Sequence, residues 1–572
     1  MKGGTSIRGR GRAALVSAAT AAACLAIGVG DAAANGVAMA GDVTATEPGP
    51  SSALLWVKAA TDGPVMVQAR KTGSGDFLSC VLTKAGVKAA AKQRKGVEWI
   101  ALANASSASD LTAQARVSGL PEAAINYNYR FCGSNGWTSD TGYFKTAPSP
   151  NSTVPVHFAW SGDMDASASP ANPTANDNGA YWNSFEALDQ MRQQGNDFNI
   201  LMGDTIYSDS EVPGITEAAL TVQQKWDKYT TNLEMPAYSA FRANQAVLNH
   251  WDDHEFINDF SPRETPGQLG VNIPTKQLYS NGVKAFRTYM PASYNKRTGL
   301  YRRVRYGKNL ELFFLDERSF RSASSDELAV CLNEGSPDLA PTAPQSTRGA
   351  FAVLVESLGN PVNKACLASI NSKRRTMLGK AQLARFLKDI KSSKATFKVV
   401  MSEVPMQQYY ALPYDRWEGY AAERRKVLTY LDRKVKNVVV LTTDVHATLV
   451  NNVRFNTLGP AGVRNSRIYE AVVGPIATKN YGLEMDDATG QDGIGNTIQQ
   501  LFFKQPVDAT GFPGPGMGMQ CSATDQFGFG QVHVTSTQLT VDFFDQDGAQ
   551  TTEYAGDGNP RQACASLVIP KR

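Results

Sequence analysis

At 572 residues the chain exceeds one ordinary core and points to two or three domains. With 42% hydrophobic and 19% charged residues it is not a disordered chain, and 49 glycines and 28 prolines imply many turns. The formal charge of +4 is concentrated at the start: Lys2, Arg8, Arg10 and Arg12 outweigh Asp31, and the rest carries about +1. No basic tract remains that would argue for nucleic acid.

MKGGTSIRGRGR precedes the apolar run AALVSAATAAACLAIGVG and the small residues DAAANGVAMA. This is the layout of a secretory signal peptide over 1–34, cleaved within 34–40. The alanine-rich run is short for a membrane span, and no later segment resembles one. The expectation is an exported protein (periplasmic, cell-surface or secreted) without a transmembrane anchor once the leader is removed. Cys24 lies in the apolar run, where a lipoprotein cysteine fits poorly. Six later cysteines, none in CxxC spacing, point to disulfides in an oxidising compartment. Pairing neighbours along the chain gives 80–132, 331–366 and 521–564, one of about fifteen possibilities.

Residues 41–147 read as strands: SALLWVKA, VMVQARK, TAQARV and INYNYRFC are short, β-branched or aromatic, and bounded by turn residues. In the last, Ile125, Tyr127, Tyr129 and Phe131 form one wall, so a small all-β sandwich is expected. TAPSPNSTVP then supplies a linker at 148–153.

Beyond it the period changes. VPVHFAW reads as a buried strand, YWNSFEALDQMRQQ as a helix with Phe185, Leu188 and Met191 on one face, and FNILMGD as a second strand. ARFLKDIKSSKATFKVVMSEVP and RRKVLTYLDRKVKNVVVLTTDVH repeat the helix–strand pattern, so 154–572 is expected to be one sheet-centred α/β domain. Segment 321–366 reads as a surface excursion held by Cys331 and Cys366, and QVHVTSTQLTVDFFD as a strand near a sheet edge.

Four acidic clusters end apolar strands: Asp163 and Asp165, Asp204, Asp252 and Asp253, and Asp444. In α/β folds the carboxyl ends of strands converge on the ligand site. Any one of these acids serves equally well as a turn cap. Four together, two accompanied by His254 and His446, favour metal binding, because converging carboxylates repel unless cations neutralise them. Tyr207, three residues after Asp204, is able to reach the same place; a phenolate ligand implies a strongly Lewis-acidic metal such as Fe(III). Alone it reads as a packing aromatic. His250 is placed behind the site, and His157 and His533 read as structural.

Together these motifs resemble the PhoD-like alkaline phosphatases, a branch of the calcineurin-like metallophosphoesterases with relatives among the purple acid phosphatases. The matching pieces are FAWSGDMD at 158–165, GDTIY at 203–207, WDDHE at 251–255, FRTYMP at 286–291, LFFLDERS at 312–319, LGKAQ at 378–382, DRWEGYAAERR at 415–425, TDVH at 443–446 and EAVVGP at 470–475. The resemblance implies two mixed β-sheets flanked by helices, a four-layer sandwich, following the all-β domain. It implies Asp204 bridging two metals, Tyr207 on a ferric ion, Asp253 on the second metal, and Asp444 and His446 as the late ligands. His254 would contact phosphate and protonate the leaving group, and Arg287 would clamp phosphate. Asp165, Asp252, Asp316 and Arg318 would support the site or line the pocket. Fe(III) with Ca²⁺ is the metal pairing associated with this family, and an oxygen-rich, imidazole-poor donor set suits calcium. Many members carry a cysteine iron ligand after the first strand of this domain; SGDMD offers Asp163 instead.

The activity so implied is hydrolysis of phosphomonoesters by a metal-activated hydroxide, releasing inorganic phosphate. No nucleophile-elbow motif is present to argue for a covalent intermediate. Phosphodiester cleavage, including phospholipase D-like action, is the alternative within the fold. A non-catalytic surface binding module is the alternative from another class.

Overall fold

Alternation along each strand decides which layer it serves. The computed structural model describes residues 41–572 except 84, 86–87, 89–91, 93–95, 134–135, 171–178, 327, 334, 459–462, 511–513 and 557, so the expected leader lies outside the described residues.

The first seven strands are β1 (Val43–Gly49), β2 (Ser52–Lys58), β3 (Gly63–Lys71), β4 (Trp99–Ala105), β5 (Thr112–Ser118), β6 (Asn126–Gly133) and β7 (Gly142–Lys145). They form two antiparallel sheets, ordered β1-β2-β5 and β4-β3-β6-β7. Tyr127, Tyr129 and Phe131 are buried on one wall of β6. Cys80–Cys132 links this region to β6. The segment at 148–153 is pinned: Gly307 N donates to Pro148 O and Lys308 N to Ser152 O. The strands pack directly on the α/β part of the chain, and Met39–Arg572 forms one compact unit.

The rest is built on two mixed sheets. One runs in the order β10 (Val247–His250), β9 (Phe198–Met202), β8 (Val156–Ser161), Gly528–Val534, Gln538–Asp545 and Leu567–Pro570. Its strands β8, β9 and β10 are parallel, and the others antiparallel. The tail, expected as one strand near a sheet edge, is therefore a hairpin whose second strand lies beside the edge strand Leu567–Pro570. Thr535 N donates to Gln538 O at the turn, and Gly528–Val534 lies beside β8 in the sheet interior. The second sheet is β11 (Arg302–Tyr306), β12 (Leu310–Phe314), Phe397–Met401, Val438–Thr442, Tyr469–Val472, Thr448–Asn452 and Cys521–Ala523.

In the second sheet Leu312, Phe314, Val399, Met401, Val439 and Leu441 face inward to meet Phe158, Trp160, Ile200 and Met202 of the first. Their neighbours Phe313, Val400 and Val440 face outward under Phe386 of helix Gly379–Ser392 and Val427, Leu428 and Leu431 of helix Ala421–Lys434. Helix Glu186–Gln193 covers the outer face of the first sheet with Leu188 and Met191. The layers are helix, sheet, sheet, helix. Burying one such apolar side chain stabilises by roughly 1.5–3 kcal/mol. Trp160 adds a polar tie, donating through Nε1 to Thr442 O at 3.2 Å, and Thr443 Oγ1 donates to Met202 O at 2.7 Å. These bonds hold the carboxyl ends of the two sheets side by side.

The expected pairs 331–366 and 521–564 also form. Segment 321–366 is more than a surface excursion, because Leu339, Phe351 and Leu358 line an apolar pocket together with Tyr409 and Phe503.

Candidate metal centre

Each expected acid follows a strand end, and glycine is what lets the ends approach. A Cβ on Gly203 (φ +97°) would lie 2.5 Å from Asp252 Cβ, and one on Gly162 would lie 2.9 Å from Gly203 O. β8, β9 and β10 therefore converge only because these positions carry no side chain. Asp163, Asp204, Asp444 and His446 adopt φ values of +62°, +45°, +74° and +53°, a region costly for side-chain-bearing residues. Four such backbones at one spot indicate a geometry held for function.

The side chains meet as two groups sharing one carboxylate. Asp163, Asp204 and His446 present ligand atoms within 4.8 Å of one another, and so do Asp204, Asp253 and His254. All are buried. Asp163 Oδ2 is fully enclosed and has no hydrogen-bond partner, the condition of an oxygen awaiting a cation. Tyr207 Oη lies 2.8 Å from His446 Nε2, and its ring stacks on His254 with centroids 4.0 Å apart. The residues present thus fit a two-metal centre: clustered oxygens, few imidazoles and a phenol at the first group.

Burial dominates the electrostatics. It pushes the Asp163 carboxyl up to about 7 against the pull of His446 and the Asp444 N–H, and holds Asp204 well above the usual carboxylate range. Asp444 rises to about 8, through burial and then the charge of Asp415. Burial, followed by the charges of Asp204 and Asp163, also drives the Tyr207 phenol upward. The histidines go the other way. Burial opposes their charge, but Asp209 and Asp204 raise His254 well above its ordinary value, and Glu484 with Asp163 raises His446 to about 10.

The remaining expected residues divide clearly. Arg318, fully buried, joins Asp252 through Nε and Asp415 through Nη1, and its Nη2 lies 3.3 Å from Asp253 and 3.1 Å from Asp444. Asp252 is its partner in the interior. Asp165 turns away, accepting from Ser167 N at 2.9 Å and from the Ser167 and Ser210 hydroxyls. Asp316 accepts from Leu300 N, Ser319 N and Ser319 Oγ, each at 2.8 Å, and so shapes the loop that presents Arg318.

Arg287 stands apart from the acids. On helix Thr275–Tyr289 the inward positions are Leu278, Gly282, Ala285, Phe286 and Tyr289. One step past Phe286 turns Arg287 outward, where its guanidinium lies 5.2 Å from the Tyr294 ring centroid and the side chain is exposed. It is not brought to the acids.

Several supporting residues lie outside the expected set. Asp209 Oδ1 lies 2.7 Å from His254 Nδ1, and Glu484 Oε1 lies 2.7 Å from His446 Nδ1. Asp415 holds both Arg318 and Arg321. Asp209, two residues past Tyr207, is within reach of a motif reading; Glu484 and Asp415 come from distant segments with no local signal. Glu255 proves to be the loop tie, accepting from Asp204 N at 3.2 Å, Thr205 N at 2.7 Å and Asp252 N at 2.7 Å. His250 sits behind the site, 2.5 Å from Leu315 O and 3.0 Å from Glu403.

Residues 174–543 match the family described as PhoD-like phosphatase. Alkaline phosphatase D of Bacillus subtilis (strain 168) is 24% identical over 353 residues, 57% of this chain and 52% of that protein. The match thus spans about half the length of that curated relative. A solved structure of PhoD superposes with a TM-score of 0.64 at 18% identity, covering 94% of this chain and 92% of that one. A purple acid phosphatase isolated from yellow lupin (Lupinus luteus) seeds gives 0.51 at 12% identity, covering 92% and 74%. At these identities the structural likeness is one of fold, and it fits a metallophosphoesterase-like α/β architecture.

Proposed function

The chain belongs to the PhoD-like phosphatase family, and from that premise we propose that it is an exported metal-dependent phosphatase that hydrolyses phosphomonoesters. The observation that carries the reading is the pair of ligand groups sharing Asp204, with Asp163 Oδ2 buried and unpartnered. In this reading Asp163, Asp204, Tyr207 and His446 would hold Fe(III), and Asp204, Asp253 and Asp444 would hold Ca²⁺. When bound, the metals supply Lewis acidity to the phosphoryl oxygens and acidify the attacking water.

The chain's own residues do the rest. Asp209 holds the His254 ring through Nδ1, which leaves the other nitrogen to carry a proton for the departing alkoxide. Tyr207 stacks on that ring and limits its rotation. Arg318 keeps a fixed positive charge between Asp253 and Asp444, so their carboxylates remain aligned. Export is supported by the leader-like N-terminus and by three disulfides. Among the described residues no helix is long and apolar enough to cross a membrane.

The test is hydrolysis of an aryl phosphomonoester beside a bis-aryl diester and a phospholipid, with metal content measured on the same sample. Monoester turnover should lead, and diester or phospholipid turnover above it would overturn the monoester reading. Iron should bring a visible tyrosinate-to-iron band that Tyr207→Phe abolishes. A band that survives the substitution removes Tyr207 from the ligand set, and a metal-free protein without phosphate release favours a binding module.

A further inference from the structure

The first sheet carries two histidines at the end away from the acids. His157 of β8 lies in register opposite His533 of Gly528–Val534, and the row continues through Thr540 to Val568 across four strands. At the rise of a strand, Asp163 is roughly 20 Å further along the chain. Both rings are half-buried and reach solvent. Their Nδ1 atoms lie 2.6 Å apart, with ring centroids 4.6 Å apart and planes at 83°, so one Nδ1 donates to the other. Two nitrogens on one zinc ion, at about 2.0–2.1 Å each and about 90–110° to one another, are roughly 2.9–3.4 Å apart. A small rotation about the soft χ2 torsions opens the pair to that separation.

The surroundings favour the same use. Asp542 Oδ2 lies 3.7 Å from His533 Nε2, and its other oxygen accepts from the Ser566 hydroxyl. A carboxylate on that side keeps the ring proton at Nε2 and leaves the Nδ1 lone pair to a metal, as in carboxylate–histidine–metal chains. Burial, followed by the charge of His157, also holds His533 below its ordinary value, so protons compete less for it. The His157 backbone is fixed on both sides: its N donates to Asp197 Oδ2 at 2.8 Å, and its O accepts from Asp197 N at 2.8 Å. Lys145 Nζ in turn pairs with Asp197 at 2.5 Å.

We infer that His157 and His533 chelate a transition-metal dication, Zn²⁺ or Cu²⁺, through their Nδ1 atoms, with Asp542 positioning the His533 ring and water completing the coordination. The site is separate from the acidic centre and selects different ions. Calcium and magnesium take oxygen ligands, whereas imidazole suits zinc and copper. The ion clips together two strands whose histidines are 376 residues apart, and closing so long a loop constrains the unfolded chain strongly.

The test adds Zn²⁺ to protein whose acidic centre is already metal-loaded, in excess Ca²⁺, with calorimetry and with iron and calcium content measured on the same sample. One zinc per chain should bind with the resident metals retained, and Cu²⁺ should bind more tightly than Zn²⁺. No uptake, or uptake only in exchange for a resident metal, overturns the site. Asp542→Asn should weaken zinc binding about tenfold, and His157→Gln or His533→Gln by more than about a hundredfold, beyond the range of a supporting residue. An unchanged affinity in either folded histidine variant overturns the chelate, and in Asp542→Asn it overturns the positioning role. The copper EPR spectrum of the wild type judges the ligands without any variant: splitting by two imidazole nitrogens supports the pair, and an oxygen-only signal overturns it.

Discussion

On the flank made by Asp163, Asp204 and His446, no arginine or lysine forms an ion pair with either carboxylate among the described residues, and Asp163 Oδ2 has no partner. On the flank made by Asp252, Asp253 and Asp444, Arg318 reaches all three carboxylates. Both flanks bury several acids at strand ends. The second carries a buried guanidinium in the chain; the first has only imidazole as a basic neighbour. Burial disfavours the Arg318 charge, but the surrounding acids outweigh that cost and hold the guanidinium well above its ordinary range. The flanks should therefore respond differently to substitution.

The largest effect is expected at Asp204, the carboxylate common to both ligand groups. Asp204→Asn keeps the shape and removes the shared charge, so both metals should be lost together. Metal content should fall on both sites and kcat/KM by more than about a thousandfold. Loss of one metal with the other retained would show that Asp204 does not bridge. Next is Arg318→Met, which leaves Asp252, Asp253 and Asp444 without their counter-charge while Asp415 keeps Arg321. Removing one partner of a buried network costs about 3–5 kcal/mol, read by denaturant unfolding of the metal-free protein. Added calcium should recover part of that loss by replacing the missing positive charge. Equal destabilisation with and without calcium would separate Arg318 from the cation-binding flank.

The two flanks also differ in how far the sequence exposes them. Asp163, Asp204, Asp253 and Asp444 each follow an apolar strand, so position along one segment is enough to nominate them. The helix–strand units at 379–401 and 421–442 are equally plain, because their apolar spacing is local. Asp415 is 97 residues from Arg318, and Glu484 reaches His446 from a separate helix. Such pairings depend on how sheets and helices stack, which no local period encodes. The tail departs from the expected single strand for a related reason: alternation specifies strand conformation, but not whether a turn divides it.

The smallest effect is expected where motif resemblance places a clamp. FRTYMP suggests that Arg287 grips phosphate, yet helical geometry sends Phe286 inward and Arg287 out. Its guanidinium packs over Tyr294, while its backbone carbonyl accepts from Gln114 Nε2 at 3.4 Å. Nothing in those contacts reaches the shared carboxylate, and the backbone bond survives truncation of the side chain. Arg287→Ala should leave kcat/KM within about twofold of the parent, the range of a surface substitution. A phosphate-stabilising donor would instead lose about a hundredfold or more. Measuring kcat and KM separately sharpens the point, because a clamp seen only in the substrate complex would still reveal itself as a fall in kcat. A loss of that size would require Arg287 to move inward during turnover, and would give the centre a third source of positive charge besides Arg318 and the metals.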